Sequence, residues 1–80
     1  MDEPDEMQRV VIALTDQIEA LLPQARDRLG EPGFAKVAGR TSQIRHEALR
    51  GVNDKTLLED KVWLDQKLAE LLGLVTARPS

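Results

Sequence analysis

The stretch Asp54–Val75, DKTLLEDKVWLDQKLAELLGLV, decides the fold. Leu57, Leu64, Leu68, Leu71 and Val75 form one apolar row, and Leu58, Val62, Ala69 and Leu72 form a second row beside it. Steps of three and four residues match a helix, whereas a half-buried strand alternates with a period of two. The two rows together cover about half of the helix circumference, wider than the ~100° stripe that faces a single core. A helix is expected over about 54–72. Asn53 is placed to cap its start, with Val52 and Leu57 at the two positions of a hydrophobic staple. Gly73 is placed to end it, leaving Thr76 to Ser80 frayed.

The chain on the N-terminal side reads as two more helices. Met7, Val11, Leu14, Ile18, Leu21 and Ala25 step by 4, 3, 4, 3 and 4, and Val10, Leu22 and Leu29 widen the stripe. This predicts an amphipathic helix over about 4–29, with Pro4 at its first position and Asp5 and Glu6 near the positive end of the helix dipole. Pro23 is expected to kink it, because proline lacks an N–H and crowds the carbonyl of Glu19. Gly30-Glu31-Pro32-Gly33 reads as a turn. Phe34, Val37, Ala38, Thr41, Ile44, Ala48 and Leu49 then hold one phase over about 32–50, ending at Gly51. Gly39 inside this segment leaves a break near Gly39-Arg40-Thr41 as an alternative.

Composition agrees with an all-α fold. The chain has 80 residues, 12 of them Leu, 8 Ala and 6 Val, against one Phe, one Trp and no Tyr. With so few aromatic and β-branched residues a sheet is disfavoured. The fold class is therefore all-α, a three-helix bundle or a helical hairpin with a third helix, in one small domain spanning 1–80. Cys is absent and His46 is the single histidine, so disulfides, thiolate sites and a histidine-rich metal site are excluded. Burial at ~25 cal/mol per Å² nearly cancels the ordering entropy of so short a chain. Regular helix packing and self-association are the remaining sources of stability.

Net charge is −3, so global attraction to nucleic acid or an anionic membrane is not expected. The run Met1-Asp2-Glu3-Pro4-Asp5-Glu6 is acidic, the reverse of a signal-peptide start, and no apolar run approaches the ~20 residues of a membrane span. A cytoplasmic location is expected.

Catalytic chemistry finds little support. Ser42 lies one helical turn before His46, but an acyl-transfer site also needs an orienting acid and an oxyanion hole. Asp16 and Glu19 share a face without a Glu-x-x-His companion. Gly30 and Gly33 flank a proline with no Lys-Ser/Thr after them, unlike a phosphate loop. No enzyme activity, cofactor or metal is expected. The middle of the chain is locally basic, with Lys36, Arg40, Arg45, Arg50 and Lys55. Residues 34–50 match helix-turn-helix spacing in part, with Ala35 and Gly39 four apart and Arg40, Ser42, Arg45 and Arg50 as possible nucleic-acid contacts. The match departs at Arg40, where an apolar residue is usual, and at Ile44, one position early for the next anchor.

Lys61 and Asp65 point between the two apolar rows, where a charge is costly unless paired. They can pair with each other, or Asp65 can meet Arg45. Trp63 and Leu74 lie on the other side of the same helix. The expectation is a small helical protein–protein interaction module of adapter, assembly-chaperone, inhibitor or antitoxin type, a coiled-coil-like homodimer. Its partner-binding residues would be Leu57, Lys61, Trp63, Leu64, Asp65, Leu68, Leu71 and Leu74. A DNA-binding regulator using residues 34–50 is the alternative.

Overall fold

A computed structural model describes residues 6–76. It carries two helices, α1 (Glu6–Arg50) and α2 (Asp54–Thr76). The described chain is all-helical, and its architecture is that of a helical hairpin. The second and third expected helices are thus not equivalent: residues 32–50 belong to α1, and only α2 is set apart by a connection.

A straight helix of this length would be about 68 Å long at ~1.5 Å per residue, yet the Gln8 side-chain amide donates to the backbone carbonyl of Ala48. The chain reverses at Gly30. Its torsions, φ 77° and ψ 164°, are the only non-helical pair within α1. That region is essentially closed to any residue with a Cβ. Pro32 follows in the first turn after the reversal, where its missing N–H has no partner to lose. The expected four-residue turn is therefore compressed to one glycine. The helix continues through Pro23 as one element, with helical torsions on both sides. Pro23 and Glu19 are both exposed, so water can reach the carbonyl that loses its donor. Pro4 lies outside the described residues.

The second reversal follows expectation more closely. Gly51 adopts φ 90°, and its N–H is shared between the carbonyls of Glu47 (3.0 Å) and Ala48 (3.3 Å), closing the end of α1. Asn53 caps α2: its Oδ1 accepts the Thr56 N–H at 2.8 Å. Val52 is half-buried against the core that contains Leu57, which is compatible with the expected staple. Gly39 and Gly73 both remain helical, so neither breaks nor ends its helix. Leu74 and Val75 still pack on the core, and that burial carries α2 past Gly73.

One core joins the two halves of α1 to α2. Val11, Leu14, Ile18, Leu22 and Ala25 come from the half before Gly30. Val37, Ile44 and Ala48 come from the half after it, and Leu57, Leu64 and Leu71 come from α2. The ion pairs of Arg45 with Asp16 and Glu19 lie along the seam between the halves of α1. Arg28 donates to the Leu74 carbonyl and Arg40 reaches Asp60, so α2 touches both halves.

Candidate interaction surface on helix α2

The two apolar rows of α2 part company in the structure. Leu57, Leu64 and Leu71 are buried inside the chain, and Leu68 and Val75 are packed against that core. The second row faces out. Leu58 is 52% exposed, Val62 51% and Leu72 44%, with Ala69 exposed among them. Leu49, 59% exposed, departs from the expected apolar phase at the end of α1, and Val10, 36% exposed, adds to the apolar surface of its first half. Three branched aliphatic side chains on one helix phase form an alignment rather than scattered surface residues. With Asp65 and Ala69 between them, the row occupies positions 58, 62, 65, 69 and 72, which step by 4, 3, 4 and 3, the repeat of a coiled-coil seam.

The structure places the partner-binding residues expected from sequence in different settings. Leu57, Leu64 and Leu71 are buried in the intramolecular core. Leu68, Trp63 and Leu74 are half-buried against the same core. Only Lys61 and Asp65 stand at the outward row, with Asp65 in its middle and Lys61 at its rim. Lys61 Nζ donates to Asp65 Oδ2 at 2.8 Å. The alternative pairing of Asp65 with Arg45 does not occur, because Arg45 is held by Asp16 and Glu19 across the fold of α1. Leu58, Val62 and Leu72, the residues that do face outward, were visible in sequence as the second row. Spacing alone ranks the two rows equally.

Trp63 lies in a groove of about 370 Å³ between α2 and the second half of α1, lined by Lys36, Val37, Arg40, Trp63 and Lys67. Lys67 Nζ sits 5.8 Å from the indole ring and bonds Glu70 at 3.1 Å, so this cation is held by its own helix. Trp63 thus closes the junction between helices, more internal than an exposed hot spot.

A buried acid went unnoticed in sequence. Asp60 is only 3% exposed, and its Oδ2 has no hydrogen-bond partner. Arg40 approaches Oδ1 at 3.4 Å from a partly solvated position. Burial pushes the Asp60 carboxyl above the usual carboxylate range. Arg40 opposes that shift, while Glu47 and Glu59 add to it. The signal was available: Asp60 lies three residues after Leu57 and four before Leu64, on the inward phase.

The four expected nucleic-acid contacts, Arg40, Ser42, Arg45 and Arg50, are spread around the helix and do not share a face. Residues 34–50 are unbroken helix, so the turn of a helix-turn-helix is missing. Arg40 turns to Asp60 and Arg45 to Asp16, while Ser42, His46 and Arg50 are exposed. Among the described residues no group of three His, Cys, Asp or Glu could hold a metal ion, and no helix is long and apolar enough to cross a membrane. The chain matches no protein-family model, no curated protein and no solved structure.

Proposed function

We propose that this chain is a small helical protein–protein interaction module that self-associates through the outward row of α2. The observation that carries the reading is the half-exposed alignment of Leu58, Val62 and Leu72 at coiled-coil spacing. The inner row of α2 already satisfies the core, so this second row has no structural use within the protomer. In this reading the two halves of α1 and α2 make a three-helix bundle whose task is to hold that row rigid. Adapter, assembly-chaperone, inhibitor and antitoxin roles all use such a surface by burying a helix face.

The test is Val62→Lys on a soluble protomer. Val62 is already half-covered in the protomer, so association adds about half of the ~1.5–3 kcal/mol of full burial per copy. The two copies of a dimer together lose ~1.5–3 kcal/mol, about tenfold or more in association. Helix content and the melting temperature measured in dilute solution should stay near wild type, because Val62 is half-exposed in the protomer. Identical solution masses for wild type and variant at every concentration would defeat the proposal.

A further inference from the structure

We infer that α2 pairs with α2 of a second copy in the antiparallel sense, with the two-fold axis passing between residues 62 and 65. The inference rests on the self-association proposed above and adds its orientation.

Charge along the row sets the orientation. The outward row carries one charge, Asp65, between Val62 and Ala69, and Lys61 stands beside it at the rim. In a parallel pair each position of the row faces its own copy. Asp65 would then oppose the second copy's Asp65 inside an apolar seam, where like charges repel without water to screen them. In the antiparallel pair Asp65 faces Val62 of the second copy, Leu58 faces Ala69, and Leu72 falls level with Lys55, whose aliphatic stem can lie against it. Lys61 of each protomer then stands within about one residue rise, ~1.5 Å along the axis, of the other's Asp65. Each Asp65 gains a second ammonium beside its own Lys61. A surface that carries both signs on either side of a two-fold is complementary to itself. The row's aliphatic residues set the strength of pairing, and the Lys61–Asp65 pair sets its direction.

The absence of cysteine in this chain makes the orientation directly readable. Full-length Leu58→Cys and Ala69→Cys proteins are prepared separately, then mixed and oxidised by dissolved oxygen with trace copper. In the antiparallel pair residues 58 and 69 of opposite copies are adjacent. Two copies of residue 69 stand about 16 Å apart along the axis, beyond the ~7 Å that a disulfide spans. The mixture should give the mixed dimer by mass spectrometry at about ten times the yield of either variant alone. Efficient self-linking of either variant would show parallel pairing and overturn the orientation while leaving self-association intact. A dimeric mass with no cross-link in any sample would overturn the register. A monomeric mass throughout would remove both the orientation and the proposal beneath it.

Discussion

Replacing Asp60 with leucine should make the protein more stable. Asp60 occupies the inward phase of α2 between Leu57 and Leu64, almost fully buried, with Oδ2 unpartnered. Leaving such a group unsatisfied costs about 1–3 kcal/mol. Its one ionic contact, Arg40 at 3.4 Å, is made by a partly solvated guanidinium that can return to water. An exposed partner of this kind returns at most about 1 kcal/mol. Leucine at the same position removes the orphan oxygen and adds apolar burial of about 1.5–3 kcal/mol, reduced by imperfect fit. A net gain of about 2 kcal/mol corresponds to roughly 8–16 °C in melting temperature for a domain of this size. The assay is thermal unfolding followed by helical circular dichroism, at one fixed protein concentration because association shifts the midpoint.

The pH dependence supplies an independent check. The folded Asp60 carboxyl titrates above its unfolded value of 3.8. The folded state therefore binds a proton more readily than the unfolded chain. Its penalty is fully present well above the folded pKa and is relieved as pH falls through that value toward 3.8. Stability from this residue rises on mild acidification, the reverse of a salt-bridged aspartate. The advantage of Asp60→Leu should be largest near pH 7 and shrink toward pH 4. A variant that melts below wild type at pH 7 would refute the reasoning and show that the Arg40–Asp60 pair is a net source of stability.

Other substitutions test separate links in the argument. Gly30→Ala should lower stability by about 1–3 kcal/mol in urea titration, because φ 77° with ψ 164° suits only glycine. Gly39→Ala, at a helical, exposed site with open space around a new Cβ, should raise stability by up to about 1 kcal/mol. Asn53→Ala removes the 2.8 Å cap on Thr56 N–H and should cost about 1 kcal/mol. Its earliest effect should be faster amide exchange over the first turn of α2.

The elements read most directly from sequence were those with redundant local signals. Asn53, Val52 and Leu57 mark the start of α2 by capping and stapling; Asn53 makes its cap, and Val52 and Leu57 share one core. Gly30 and Gly51 mark both reversals because each takes a positive φ. Gly39 and Gly73 have the same composition signal but no such torsion, and packing on either side carries the helix through them. Whether a glycine breaks a helix depends on what its neighbours bury, which local spacing does not contain. The two rows of α2 were evident, but their assignment was not, since both keep helical spacing. The core selects the row holding Leu57, Leu64 and Leu71 and leaves Leu58, Val62 and Leu72 outside. Charge pairing was less accessible still. Arg45 had two carboxylates within reach across the fold of α1, so the more distant Asp65 kept its neighbour Lys61.

The central claim is that the outward row of α2 is an association surface. Sedimentation equilibrium of the wild-type protein from micromolar to millimolar concentration tests it most directly. The account predicts a mass rising from the 8.9 kDa of one chain toward twice that value, with the rise lost in Val62→Lys. A constant 8.9 kDa across the whole range would contradict it.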